Sequence, residues 1–440
     1  MSQFRLARIS LILAAIGLNA APALLPAAFA QDKAAPAAAA APAETLRPDL
    51  FKLLDPAKIK EMMAAKKHAE IQANITAAEA MPNLTPYETY IINRMKIALG
   101  SATSNDAMAM TALDAVIKSG RLSKADNADF MQALANYHYN AKDYPKAIAL
   151  FKRYQAEAPE PGKVTRSMSR ALYLINDFAG SKAELDKLIA ASEAAGKAPD
   201  LEDLRLLASA NAKMKDMTAY SATLEKIVGL YPSDEYWTDL VRRVPSKPGF
   251  RPALMMDVYR LEAAALKQME ETEYTEMAEI ALLGGFFTEA KQAMDAGYAA
   301  GVLGKGANAA KHKALRDKAT KNAADDAKTI TSGDASAAAA KTGQPMVNLG
   351  WAYVTMGEFD KGIALIEKGV AKGGMKNAED AKLRLAQAYA KAGRKDDAIK
   401  AFQQVKGNDG LSDIARYNIL FLKGPAVASA AAPAPAATTK

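Results

Sequence analysis

The chain has 440 residues, 50% of them hydrophobic and 24% charged, with 26 Gly, 20 Pro, 3 His, no Cys and a formal net charge of +8. The absence of cysteine excludes disulfides, thiolate zinc sites, cysteine nucleophiles and a lipid-bearing cysteine. His68, His138 and His312 stand too far apart for a local pair of metal ligands, and so mild a charge excess is not a nucleic-acid footprint. Aromatics are only 7% and alanine is abundant, which favours helix over sheet and predicts an all-α protein with little catalytic equipment.

Residues 1–30 have the three-part layout of a secretory signal. Arg5 and Arg8 make a basic start, Ile9 to Leu18 is a short apolar run, and Ala28-Phe29-Ala30 supplies a small-x-small cleavage site. The run is broken by Asn19, Pro22 and Pro26 and falls short of the ~20 residues that span a bilayer, so removal is expected rather than retention as an anchor. The mature chain, with two arginines fewer and a net charge of +6, is expected to be exported without membrane insertion. Residues 31–54 and 424–440 read as disordered Ala/Pro-rich segments, poor in the large apolar groups that offset chain entropy.

From 55 to 423 the sequence is periodic. Leu, Met, Ala and aromatic residues recur at helical spacing, broken by Gly, Asp or Pro, with Ile71 to Ala80 and Pro86 to Ser119 as early helices. Leu134 to Phe151 reads as helix, short turn, helix. Equivalent anchors follow at Met168, Leu207, Leu240, Met277, Leu315, Leu349 and Leu385, at intervals of 34, 39, 33, 37, 38, 34 and 36. A small residue follows the anchor at Ala135, Ser169, Ala208, Ala278, Gly350 and Ala386. A second small position comes thirteen after it, at Ala147, Ser181, Ala253, Ala290, Gly362 and Ala398. An apolar knob comes seventeen after it, at Phe151, Leu185, Leu224, Met294, Ile366 and Phe402. Small residues at facing positions let the two helices of a unit approach closely. Turn aromatics recur at Tyr144, Phe178, Phe250, Phe287 and Phe359.

This pattern resembles the tetratricopeptide repeat (TPR), a 34-residue helix–turn–helix unit. The clearest matches are Leu349-Gly350-Trp351-Ala352-Tyr353 with Gly357, Phe359 and Gly362, and Leu385-Ala386-Gln387-Ala388-Tyr389 with Gly393, Ala398 and Phe402. The resemblance implies an all-α solenoid of stacked helix pairs in a right-handed superhelix. Two copies depart from it: Pro245, Pro248 and Pro252 interrupt one, and the copy around Leu315 is Ala/Lys-rich, with Arg316 in a small-residue position. Leu411 to Leu422 is expected to close the stack as a terminal helix. The order of Asn83 to Glu88, Leu230 to Trp237 and Gly369 to Asn377 is similar to exported bacterial repeat proteins that accompany TonB-type energy transduction in Gram-negative envelopes. That narrower resemblance implies a periplasmic location.

In this family ligands lie in the groove lined by first helices. Positions two before, two after and five after each anchor share one helix face. They name Gln132, Asn136 and Tyr139; Arg166, Arg170 and Tyr173; Arg205; Thr238 and Arg242; and then Val347, Trp351, Val354 and Leu383. The Arg/Tyr/Asn stripe suits peptide carbonyls and carboxylates. A plain solvated face accounts for the same arginines, and inter-repeat packing for Trp351. His138 occupies a packing position. Gly301 to Gly306 lacks the glycine, hydroxyl and preceding strand of a phosphate loop and reads as a turn. Glu270 to Glu273 reads as a solvated helix start and Lys305 to Lys328 as a weakly packed repeat with its lysines outside.

The expectation is therefore a non-enzymatic scaffold or adaptor that binds a protein or peptide partner, TonB-system or other envelope components among them. It needs no cofactor, metal or nucleic acid. A structural component of envelope assembly and an enzyme with a site hidden in the groove are the alternatives.

Overall fold

The computed structural model describes residues 44–425. The expected signal at 1–30, residues 31–43 of the expected linker and the tail from 426 lie outside the described residues. Among the described residues there is no strand, and helix follows helix, most of them joined by short turns. The chain divides into two compact units at residue 191, near the end of one helix.

Unit 1 contains α1 (Pro48–Leu54), α2 (Pro56–Ala64), α3 (His68–Glu79), α4 (Pro86–Thr103), α5 (Asp106–Lys118), α6 (Lys124–Asn140), α7 (Tyr144–Glu157), α8 (Thr165–Leu174) and most of α9 (Phe178–Ala194). The ordered structure starts before residue 55. Leu50 and Leu54 of α1 are fully buried, and Arg47 just ahead of it is tied to Glu88, with Nη2 2.7 Å from Oε2. Arg47 also donates to the carbonyls of Pro82 and Asn83, while Glu88 closes a capping box with Thr85 at the start of α4. The expected linker fails here because two leucines and one arginine suffice to anchor a seven-residue helix once a preformed site receives them.

Unit 2 contains α10 (Leu201–Lys213), α11 (Met217–Leu230), α12 (Asp234–Arg242), α13 (Met255–Ala265), α14 (Glu271–Leu283), α15 (Phe287–Ala299), α16 (Ala309–Thr329), α17 (Gly333–Ala339), α18 (Gln344–Thr355), α19 (Phe359–Lys372), α20 (Ala378–Lys391), α21 (Lys395–Gln403) and α22 (Leu411–Lys423).

The repeat logic holds in both units. All six knobs, from Phe151 to Phe402, are buried. The small positions are buried except Ala253, which is exposed because the proline-rich insert leads into a short 3-10 turn at Pro252–Leu254 instead of a repeat helix. A Cβ placed on Gly350 would lie 2.6 Å from the Gly362 carbonyl oxygen, so α18 and α19 touch backbone to backbone and tolerate only glycine there. The tight turn within a pair takes one left-handed residue eight positions after the anchor. It is Lys142, Asn176 and Lys215 in the earlier pairs and Gly285, Gly357 and Gly393 in the later ones. The following Asp143, Asp177 and Asp216 accept backbone N–H groups of the next helix.

The terminal helix does more than cover the last pair. Besides α21 and α20 it packs on α11 and α13, and Leu411, Ile414 and Tyr417 are buried there. Arg416 reaches both carboxylate oxygens of Glu225 at 2.8 Å, and Lys247 lies 2.7 Å from Asp413. The insert contributes Arg251, which pairs with Asp380 and Asp409. Unit 2 is thus closed by contacts between segments more than 150 residues apart in sequence.

Candidate functional site

In unit 1 the expected stripe is built on α6 and α8. Asn136 and Tyr139 follow the buried anchor Leu134, Arg170 and Tyr173 follow the buried anchor Met168, and the apolar faces hold both helices in register. Tyr139 meets Tyr144 edge to face with ring centroids 5.4 Å apart, and Tyr173 meets Phe178 in the same way at 5.2 Å. Each pair joins the end of a first helix to the start of its second helix, so the rings are fixed in orientation. Arg166 and Arg170 are exposed, and Gln132, Asn136, Tyr139 and Tyr173 are half-buried. Burial and the neighbouring Tyr144 push the Tyr139 hydroxyl above its ordinary range, with the nearby charge of Arg170 opposing them. It therefore remains a protonated donor at neutral pH. The face offers guanidinium and phenol donors over rigid rings, with no nucleophile or acid–base pair.

The positions named further along lie in unit 2 and fare differently. Arg205 is exposed and paired with Glu202 in the preceding helical turn, at 3.3 Å. Arg242 bridges Glu270 and Glu273, each at 2.8 Å, which accounts for the acidic helix start. Trp351 is not on a surface at all: it is 2% exposed, as are its companions Val347, Val354 and Leu383 or less so. Sequence offsets place it on the first-helix face, and tertiary packing has covered that face.

What covers it is an ion network. The Arg260 guanidinium of α13 forks onto Glu289 of α15, with Nε–Oε1 2.8 Å and Nη2–Oε2 2.7 Å, and its Nη1 reaches Asp257 Oδ1 at 2.7 Å. Trp351 Nε1 donates to Glu289 at 3.0 Å, and Gln387 of α20 donates to Asp257 at 3.0 Å. Arg260 and Arg384 lie over the Trp351 ring at 4.9 and 4.7 Å from its centroid, and both also approach Phe286. Burial pushes the Asp257 and Glu289 carboxyls up, yet the two arginines outweigh it and hold both below their ordinary values. Burial, followed by the like charge of Arg260, lowers Arg384 to about 10, so it stays charged at neutral pH. Two cations and two anions cancel, and the network acts as a clamp between helices. Sequence reasoning missed it because its members pair across gaps of 29, 62 and 130 residues and no local pattern marks them.

Two of the three histidines serve packing. His312 is 3% exposed, accepts the Gly304 N–H on Nδ1 at 3.2 Å and has Nε2 3.2 Å from Glu271, so the glycine-rich segment is the turn between α15 and α16. His138 is mostly buried beside Asp143. Among the described residues no group of three or more His, Cys, Asp or Glu is arranged to hold a metal ion, and no helix is long and apolar enough to cross a membrane.

Residues 109–160 and 347–412 match the tetratricopeptide repeat family, one segment in each unit. No curated protein matches the chain. Among solved structures, the TPR2AB domain of yeast Sti1 in a pHSP90 complex is 14% identical over 67% of this chain and 97% of its own, with a TM-score of 0.23. The P58(IPK) TPR domain is 12% identical over 85% and 99%, with a TM-score of 0.24. A Rap protein complexed with competence and sporulation factor is 12% identical over 85% and 97%, with a TM-score of 0.23. The helix pairs and the two matched segments together identify an all-α chain of TPR-like repeats in both units.

Proposed function

We propose that this TPR-like chain is a non-enzymatic adaptor of the bacterial periplasm that holds a protein or peptide partner on the Arg/Tyr face of unit 1. One observation carries the reading: Arg170 stands exposed on the helix that carries Tyr173 and close enough to act on Tyr139, both rings being held edge to face, whereas Trp351 at the equivalent offset in unit 2 is buried in the protein's own charge network. Rigid rings add contact area at low entropic cost, and guanidinium forks suit carbonyls and carboxylates. Export rests on the signal layout of residues 1–30. Partnership with a TonB-type system is the narrower part, supported by the order of sequence features alone.

The test is charge reversal at Arg166 and Arg170 together, combined with crosslinking in cells from positions 139 and 170. Capture of a defined partner by the native chain, lost in the double variant with helicity unchanged, is the expected result. Equal capture by the variant removes the face from consideration. Recovery of TonB-system components supports the narrower reading, and recovery of unrelated envelope proteins removes it. Retention of the chain in the cytoplasm removes the periplasmic part.

A further inference from the structure

The copy of the repeat with the poorest sequence match leaves a hole. α16 runs for 21 residues, and α17, which follows a single 3-10 turn, is only the seven residues Gly-Asp-Ala-Ser-Ala-Ala-Ala. Side chains of that size cannot fill the space a repeat helix normally fills, where a Leu or Phe knob would enter. The result is a cleft of about 520 Å³ bounded by the turn between α14 and α15, the end of α16, α17 and the first half of α18. Its volume lies within the roughly 300–1,000 Å³ range of small-ligand sites.

The walls have a definite chemical character. Phe286, Ile330 and Leu349 supply apolar surface. The hydroxyls of Thr329, Ser332 and Ser336 line the cleft too, and each already donates its proton to a helix carbonyl, at 3.2 Å to Asp325, 2.7 Å to Thr329 and 2.9 Å to Gly333. What these oxygens still offer is lone pairs. The single charged side chain in the lining is Asp326. The other aspartates of α15 to α17 are matched with cations: Asp317 with Lys313, Asp325 with Lys328, Asp334 with Lys361, and Asp295 with Lys291 and Arg316. Asp326 has no such partner among the described residues, and burial alone raises its carboxyl above the ordinary value. A half-buried carboxylate without a cation carries a desolvation cost that an incoming cation would offset.

We infer that this cleft is a binding site for one primary ammonium group on a short apolar stem, with Asp326 as its counter-ion, the hydroxyl oxygens as further acceptors and Phe286, Ile330 and Leu349 around the stem. A lysine side chain of a polypeptide and a free alkylamine share this chemistry. An anionic ligand would meet the Asp326 carboxylate with the Asn348 amide as the one side-chain donor in the lining, and is disfavoured on the same grounds. The cleft lies wholly within unit 2 and shares no residue with the Arg/Tyr face, so it stands or falls separately from partner binding there.

The experiment is calorimetric titration of the full chain with three probes: N-acetyl-lysine methylamide, pentylamine, and the neutral N-acetyl-norleucine methylamide. Binding of at least one amine, with the norleucine probe weaker by tenfold or more, is expected. A lysine derivative that binds while pentylamine does not assigns the site to a polypeptide; the reverse assigns it to a free amine. Asp326→Asn should weaken amine binding at least tenfold and leave the melting temperature of the unliganded protein equal or higher, since it removes an uncompensated charge. Ser336→Leu, at an exposed lining position, should block binding by filling the cleft while leaving the charge in place. The inference is overturned by no binding of either amine at millimolar concentration, by norleucine binding equally well, by unchanged affinity in Asp326→Asn, or by a lowered melting temperature in that variant.

Discussion

In unit 1 the first-helix positions that carry Tyr139, Arg166, Arg170 and Tyr173 remain at or near the surface, whereas in unit 2 the same offsets also yield Trp351, buried beneath two arginines. The helices obey one pattern of anchors, small residues and knobs in both. The difference comes from the far end of the chain. In unit 2, α22 returns to α11 and α13, and α20 reaches α13 through Gln387 and Arg384. Once that face is withdrawn from water, bare polar groups on it would be costly, and Asp257, Arg260, Glu289 and Arg384 neutralise one another. A repeat thus fixes which faces a helix has and leaves open which of them stay exposed.

Five substitutions and a change of pH break or sharpen this contrast, and the two tryptophans, Trp237 and Trp351, make fluorescence a reporter of unit 2 alone. The largest effect is expected from Arg260→Met, which keeps the volume and strands Glu289 and Asp257. A loss of about 3–5 kcal/mol in the fluorescence-detected urea transition should leave amide-exchange protection in α4 to α7 unchanged. Equal losses in both units would end the contrast. Gly350→Ala should cost about 1–3 kcal/mol by forcing α18 from α19, and a neutral result would mean that the backbones are not in contact.

Acidity should separate the units by sign. Burial, then the like charge of Glu273, raises buried Glu262 to about 7 against the pull of Arg242. The folded state then holds a proton that the unfolded chain, with a carboxyl near ~4.3, has released. Unit 2 should accordingly lose stability, by about 1–3 kcal/mol, as pH rises from roughly 4.5 to 7, and Glu262→Gln should flatten that slope. In unit 1 the hydrogen bond from Arg47 and the Thr85 cap lower Glu88 to about 2, so its contribution is present above pH ~4.5 and fades as pH falls through 2. Parallel slopes in fluorescence and in amide exchange of unit 1 would contradict both assignments. The smallest effect concerns the turns. Lys142→Gly relieves a left-handed lysine and should stabilise unit 1 by about 1 kcal/mol, while Gly357→Ala should cost unit 2 a similar amount. An unchanged urea midpoint for Lys142→Gly, followed by amide exchange, would mean that the lysine is unstrained.

Much of the fold was legible because its signals are local. The spacing from Leu134 to Phe151 marks a helix pair by itself, and the six buried knobs follow from repeating it. Two local features escaped notice. α1 lies in an Ala/Pro-biased stretch whose Leu50 and Leu54 gain meaning only when Arg47 meets Glu88, 41 residues on. The left-handed turn position was hidden by Lys142, Asn176 and Lys215, which occupy a conformation usually signalled by glycine. Of the candidate site, the stripe on α6 and α8 was visible from helical offsets, but Trp351 was not separable from it, because an offset specifies a face and not its neighbours.

What the sequence determined by itself is the helix pair, its close-packed small residues and its periodic core, since each rests on contacts within about 40 residues. Tertiary structure decided the rest: the return of α22, the charge network around Trp351 and the cleft beside α17. Each of these depends on groups far apart in the chain, or on space left unfilled between helices, and neither leaves a periodic trace along the chain.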